Sequence, residues 1–455
     1  MSLGTGELYL ASHPQDESRL KSAGILLISA AFPPAAEAGT ARMLRFTRWL
    51  SEWGWRFRVV TMDPLPGRSD LNLMAHLPEE IRIRSSAAVY PLRTAAKWRN
   101  RLRPRANGQA TTGNAPAAKS PAPPSRLQDL AFAAFATPDT EIGWFPSALR
   151  NGLRLCSPDR PAWIISSGPP HTAHLVARVL KLATGVRWLA DLRDPWASGA
   201  WNRTGTSGPL ARGLNLREER GMVRNADAIV LNTDALLGSF RERYPQFADK
   251  MSSIPNGYDG TLASSPCLTV NRGRPIRILH AGALYSQRSP AAALQALAEL
   301  IISGEAAHDS VEFVFLGSAS EDLDLPGMVA RLGLQNCVRI LPSVSKQEAI
   351  ELMRQADMLL LIQPQAPLQI PSKVFDYLTV GKPVLALLDE GAAADLVRRS
   401  RIGLIAAPND VEQIKGLLLR LIQRDYVTTP DWDYLSRFSG ESLSRQLEQR
   451  LLSPR

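Results

Sequence analysis

The chain has 455 residues, 45% of them hydrophobic, and ten tryptophans, which calls for two large globular domains with separate cores rather than one domain or a disordered chain. Eight basic residues and no acidic one fall within residues 92–126, and they account for most of the net charge of +10; the remainder is close to neutral, which argues against a nucleic-acid-binding face spread over the domains. Cys156, Cys267 and Cys337 lie far apart with no metal spacing and read as reduced thiols of a cytoplasmic protein, and no apolar run approaches the roughly 18 residues of a membrane span.

Residues 1–21 carry Asp16 and Glu17 and lack an apolar centre, so they read as a flexible extension rather than a secretory signal. The first domain is expected over 22–254. Gly24-Ile-Leu-Leu-Ile-Ser29 has the continuous apolar form of a buried parallel strand. A Pro-Pro loop leads to Gly39 and a helix from Thr40 to Trp53, with Met43, Phe46, Leu50 and Trp53 on one face. The next strand is Arg56–Thr61. A glycine at such a loop-to-helix junction admits a ligand to the backbone amides, or simply makes a tight turn.

Residues 92–126 interleave Trp98 and Leu102 with cations and then become rich in Ala, Pro, Thr and Gly. The first part suits an interfacial segment on anionic lipid; a charged surface loop without a partner is the other reading. The second part has the composition of a disordered insertion. A short apolar helix is expected over Leu127–Phe135.

Ala162–Ser166 is another buried strand and runs into Ser167-Gly-Pro-Pro-His171. The following helix has an apolar series of Leu175, Val179 and Leu182 and carries His174, which reads as a core or surface histidine. Trp188-Leu-Ala-Asp-Leu-Arg-Asp-Pro-Trp196 is a strand that delivers Asp191, Arg193 and Asp194 at its carboxyl end, where open α/β sheets bind ligands. The strand Ala226–Thr233 and the turn cluster Ile254-Pro-Asn-Gly-Tyr-Asp259 close this half.

A second domain is expected over 255–433, and strands and helices alternate again, as a parallel sheet covered on both faces requires. Arg277–Gly282 is a strand entering a glycine loop, with Arg288 ahead of a helix. The stretch Ile370-Pro-Ser-Lys-Val-Phe-Asp-Tyr-Leu-Thr-Val-Gly-Lys-Pro-Val-Leu-Ala386 reads as a loop, a helix opening at Pro371, a stop at Gly381 and a buried strand. The amides of Ser372 and Lys373 at that helix N-terminus favour an anion, and Asp376 one turn later can accept from sugar hydroxyls. On spacing alone, a capped helix with an exposed Ser-Lys and a solvated Asp fits as well. A terminal helix is expected within 434–455.

This stretch resembles the donor-site signature of glycosyltransferase family 4, in the exopolysaccharide and O-antigen subgroup with a Pro-Ser-Lys-Val-Phe-Asp/Glu-Tyr-Leu motif. The Ser-Gly-Pro-Pro and Asp-x-Arg-Asp-Pro-Trp segments, the Pro-Asn-Gly-Tyr-Asp turn and the Gly39 loop resemble the same subgroup, in order over residues 24–450. The resemblance implies an α/β GT-B architecture: two Rossmann-like parallel-sheet domains facing across a cleft, with the terminal helix packing back on the first. It implies a retaining transferase that moves a sugar from a UDP- or GDP-linked donor to a glycan or polyprenyl-lipid acceptor in bacterial surface polysaccharide synthesis.

In the roles that follow from the resemblance, Gly282, Arg288, Ser372, Lys373 and Asp376 bind the donor. Gly39 and Arg193 form an acceptor or phosphate loop, and Asp194 or His171 contacts the acceptor hydroxyl. Two cations and a helix N-terminus would neutralise the leaving diphosphate without a metal or other cofactor. The chain would be cytoplasmic, with peripheral contact on the inner face of the plasma membrane. It departs from the family at Leu368, where the first of two glutamates usually stands. A nucleotide-sugar epimerase of the same fold and a silent nucleotide-sugar-binding paralogue remain the alternatives.

Overall fold

The computed structural model describes residues 14–37, 39–89, 130, 136–157, 159–197, 208–262, 274–320, 322–426 and 428–453. The basic segment 92–126 and all but Leu130 of the helix expected over 127–135 lie outside the described residues. The chain divides into two compact units: 1–232 with 239–254 and 444–455, and 233–238 with 255–443.

The first unit is built on a seven-stranded parallel sheet in the order β3-β2-β1-β4-β5-β6-β7. Its strands are β1 Ile25–Ser29, β2 Phe57–Met62, β3 Arg82–Ser86, β4 Trp163–Gly168, β5 Arg187–Leu192, β6 Ala228–Leu231 and β7 Met251–Ser253. β1 and β4 are buried along their whole length, as strands covered by helices on both faces must be, which is why they read as unbroken apolar runs. The strand order reverses between β1 and β4, and at that point Ser29, Ser167 and Asp191 stand side by side in register.

The second unit repeats the plan with six parallel strands in the order β10-β9-β8-β11-β12-β13. These are β8 Ile276–Ala281, β9 Val311–Leu316, β10 Val338–Leu341, β11 Met358–Gln363, β12 Val384–Leu388 and β13 Gly403–Ala406. One apolar core lies on each face of this sheet, and the order reverses between β8 and β11, the place where doubly wound sheets bind ligands. The chain therefore has the two-domain α/β architecture expected from the sequence, with one parallel sheet in each unit. Among the described residues no helix is long and apolar enough to cross a membrane.

Four local expectations are corrected. Residues 14–23 are a helix, not part of a flexible extension; Glu17 and Lys21 pair across one turn at 2.7 Å, and Lys21 also reaches Glu448 at 2.9 Å. The terminal helix is two helices, Trp432–Ser436 and Gly440–Leu452, because the chain between them bonds to Tyr258: Tyr258 N–H donates to Phe438 O and Gly440 N–H to Tyr258 O. The helix expected from Pro371 begins at Lys373, with Ser372 as its N-cap, since Val374 N–H is drawn into a tighter bond to Pro371 O.

The fourth correction concerns the helix Thr172–Thr184. Its buried face is Ala173, Val176, Ala177 and Leu180, whereas Val179 and Leu182 are exposed. Both series have helical spacing, but the one with two alanines lets the helix lie closer to the sheet.

Candidate active site

In the second unit, the helix Lys373–Val380 buries Val374, Phe375, Tyr377, Leu378 and Val380 and stops at Gly381, whose φ of 73° closes the last turn with a bond to Tyr377 O. Tyr377 pins the helix to the carboxyl end of β8 and the middle of β11: its hydroxyl accepts from Ala281 N–H at 3.3 Å and donates to Leu360 O at 3.2 Å. Lys373 stands one turn earlier on the same side, so the strand ends set the position of its ammonium.

That position is crowded with backbone and cations. A Cβ added to Gly282 would come within 2.6 Å of Lys373 Nζ, and the φ of Gly282, +127°, is one that L side chains rarely adopt. His280 lies beneath it, fully buried. Its Nδ1 is 3.0 Å from Leu360 O and so carries the proton, which leaves Nε2 to accept from Lys373 Nζ at 3.5 Å. Burial, aided by the Lys373 charge, pushes the His280 pKa down to about 3, so the imidazole is neutral. Desolvation, then repulsion from Arg288, lowers Lys373 to about 8, with Asp376 acting the other way.

Arg288 donates to Gln363 Oε1 at 3.1 Å, at the end of β11. Asp376 faces Lys346 at 3.4 Å, and both line a pocket of about 290 Å3 with Gly282, Gly317, Val344 and Lys373. That volume is at the lower limit for a small-molecule site. Ser372 is exposed and makes no side-chain capping bond, while Leu368 is half-buried in the loop before the helix. Gly282, Lys373, Arg288 and Asp376 are thus brought to one place.

In the first unit, Gly39 is the N-cap of the helix Thr40–Glu52 and lies against the Arg193 guanidinium, in space that a Cβ would occupy. Arg193 donates to Pro169 O, its own amide bonds to Gly168 O at 2.8 Å, and its Nε is buried without a partner among the described residues. Burial lowers the Arg193 pKa, while Asp194 and Asp191 oppose the shift.

His171 is buried, with its ring stacked on Trp196 at 4.5 Å and 1°, and neither ring nitrogen has a hydrogen-bond partner among the described residues. Desolvation first, then the nearby His174 and Arg193, holds its pKa well below the usual histidine range. It therefore offers a neutral N–H and a lone pair at the carboxyl end of the sheet. His174 is a core residue. Ser166 Oγ accepts from Trp188 Nε1 at 2.8 Å and donates to His174 Nδ1 at 2.8 Å. Asp194 is half-buried beside these groups.

Asp191, at the end of β5, is taken up by structure. Arg42 holds it with Nη2 at 2.7 Å and Nε at 3.2 Å, Ser167 Oγ donates to it at 2.8 Å, and Arg42 also donates to Ile254 O. Sequence reasoning missed Arg42, His280, Gln363 and Tyr377. Each sits in a series that reads as helix face or apolar strand, and a signal was carried only by Tyr377, inside the singled-out stretch, and by Arg42, in the Gly39-Thr-Ala-Arg segment that resembles the family.

Residues 38–257 match the family described as Glycosyl transferase 4-like domain, and residues 275–424 match the family described as Glycosyl transferases group 1. The chain is a GT-B glycosyltransferase. Its fold is shared with three solved structures. HepE from Anabaena, in complex with UDP, is 14% identical with a TM-score of 0.59 over 94% of this chain and 99% of its own. The lipopolysaccharide outer core galactosyltransferase WaaB is 12% identical at 0.58, with the same coverage. WaaG, a glycosyltransferase involved in lipopolysaccharide biosynthesis, is 14% identical at 0.55 over 94% of this chain and 100% of its own. No curated protein matches the glycosyltransferase significantly.

Proposed function

We propose that the glycosyltransferase takes its sugar from a nucleoside diphosphate bound in the second unit, with the diphosphate against Lys373, Arg288, the Gly282 backbone and the amides of Ser372 and Lys373. The observation that carries the reading is the Lys373 ammonium resting on Gly282 at the point where the strand order reverses. A bare glycine backbone, two cations and a helix N-terminus together suit a diphosphate and little else. Asp376 would hold the ribose hydroxyls. The complexes of HepE with UDP and glucose and with UDP-glucose favour a UDP-linked donor over a GDP-linked one.

Transfer would proceed with retention of configuration and without a metal, the two cations stabilising the charge on the departing diphosphate. The acceptor hydroxyl, on a glycan or a polyprenyl-linked sugar of a bacterial surface polysaccharide, would meet His171 or Asp194. Gly39 and Arg193 would line its approach. The unpartnered nitrogens of His171 support that role, because buried polar atoms left unsatisfied by the protein are commonly reserved for a ligand or water. Peripheral contact with an anionic membrane would keep such an acceptor at hand.

Thermal unfolding of the full chain with UDP, UDP-glucose, GDP and GDP-mannose tests the donor site. A ligand at about 100 times its Kd should stabilise the native state by about 2.7 kcal/mol. One UDP- or GDP-ligand should do so in the wild type and lose the effect in the Lys373→Ala/Arg288→Ala variant. If no nucleotide shifts the transition, or the variant responds as the wild type does, the donor assignment is wrong.

A further inference from the structure

The second sheet splits at its centre. β8 and β11 are in register only at Ile278 with Met358 and Leu279 with Leu359, whereas β8 follows β9 to Ala281 and β11 follows β12 to Gln363. Beyond Leu279 the split is bridged by side chains. Leu360 O accepts from the Tyr377 hydroxyl at 3.2 Å and lies 3.0 Å from His280 Nδ1, and Ala281 N–H donates to the Tyr377 hydroxyl at 3.3 Å. Tyr377 by itself therefore joins the two strands and satisfies Leu360 O. What His280 adds to the bridge is a second ring nitrogen.

A fully buried imidazole between Leu279 and Ala281 destabilises the strand unless both nitrogens are used. Nδ1–H goes to Leu360 O, and Nε2 is aimed at Lys373 Nζ, 3.5 Å away. The Gly282 backbone meets the same ammonium, and Gly317 backs it so tightly that a Cβ there would come within 2.7 Å of Gly282 O. The other charged groups facing Lys373 are engaged elsewhere. Arg288, on the turn after β8, donates to Gln363, and Asp376, on the helix of Lys373, faces Lys346 of the helix Lys346–Gln355 at 3.4 Å. Among the described residues, His280 is the one side chain that accepts from Lys373.

We infer that His280 is a positioning residue of the donor site: its Nε2 lone pair fixes one N–H of the Lys373 ammonium against Gly282 and leaves the others directed at an anion. The inference rests on the donor site proposed above. An ammonium on a flexible four-carbon stem otherwise swings freely, and ordering it before the ligand arrives lowers the entropic cost of binding. Burial keeps the imidazole neutral down to about pH 3, so the lone pair is available throughout the ordinary range. It favours the charged form of Lys373, in the same sense as Asp376 and against desolvation and the repulsion of Arg288. Without it the ammonium would lose its proton at lower pH and present itself to a diphosphate in fewer productive orientations.

Two substitutions separate this role from a structural one. His280→Asn keeps an N–H where Nδ1 stands, and so the bond to Leu360 O, but has no acceptor at Nε2; His280→Gln gives up that bond and keeps an acceptor at the reach of Nε2. Lys373 is titrated in the ligand-free full chain by competitive acetylation with trace acetic anhydride, read by mass spectrometry. UDP and GDP are then titrated calorimetrically into the same proteins. Lys373 should lose its proton at lower pH in His280→Asn than in the wild type, and at nearly the wild-type pH in His280→Gln. Affinity for the nucleotide that binds should fall about tenfold in His280→Asn and no more than about twofold in His280→Gln. A merely structural histidine would give the reverse order, with His280→Gln the worse of the two. That order, or a His280→Asn that matches the wild type in both measurements, overturns the inference. If neither nucleotide binds the wild type, the donor assignment fails, and the acetylation profile alone upholds or overturns the hold of His280 on Lys373.

Discussion

Lys373 is an ammonium held where water is scarce, above a neutral His280 and beside Arg288, and its pKa falls to about 8. Between that value and the ordinary 10.5, the unfolded chain binds the proton more tightly, so the empty protein gains stability from this group as pH rises through that window. A bound diphosphate has the opposite preference, since it favours the ammonium. Nucleotide affinity should therefore be flat below about pH 7 and fall towards tenfold per pH unit above about 8. Isothermal titration across that range checks it; in Lys373→Met the affinity should be weaker and the dependence gone.

At the scale of elements, the last helix stabilises the first unit through few but well-buried groups. Leu447 and Leu451 are at most 2% exposed. Trp163 Nε1 donates to Leu451 O at 3.0 Å and Trp55 Nε1 to Glu448 at 3.1 Å. Removing residues 444–455 would forfeit the burial of both leucines, at about 1.5–3 kcal/mol each, and strip two indole N–H groups of their partners, at about 1–3 kcal/mol each. The sum approaches the whole stability of an ordinary domain, about 5–15 kcal/mol. Denaturant unfolding of the truncated chain should show a first transition lost or moved far down, whereas Arg450→Ala should leave it nearly in place.

Over the whole molecule, acid sensitivity comes from three buried histidines, His171, His174 and His280. His174 and His280 titrate near 3 in the folded chain, and His171 well below 6.5. Each binds a proton near pH 6.5 once unfolded, so below that pH the unfolded state takes up more protons and stability falls as pH drops towards about 3. Asp139, whose pKa burial raises to about 6, opposes them by taking up a proton in the folded chain that the unfolded chain does not bind. Unfolding free energy measured between pH 7 and pH 5 should therefore decline with a slope approaching two protons, and His174→Gln should remove one more.

Much of this was legible in the sequence. Unbroken apolar runs such as Ile25–Ile28 and Val384–Leu388 determine buried parallel strands, because a strand covered on both faces has no polar side to show. Their alternation with helices determines a doubly wound sheet in each half. The stretch around Lys373 marked its helix to within two residues, since a proline before it and a glycine after it leave few other conformations. Tertiary structure decided what local pattern could not. Two stripes of Thr172–Thr184 meet the helical period equally well, and the choice between them depends on how closely Ala173 and Ala177 let the helix approach the sheet. Asp191 looked as available as Asp194 until Arg42, from a helix far away in the chain, enclosed it. The protonation states of His280 and Lys373 belong to neither residue by itself: they follow from desolvation and neighbouring charge, which exist only once the strand ends and the helix have come together.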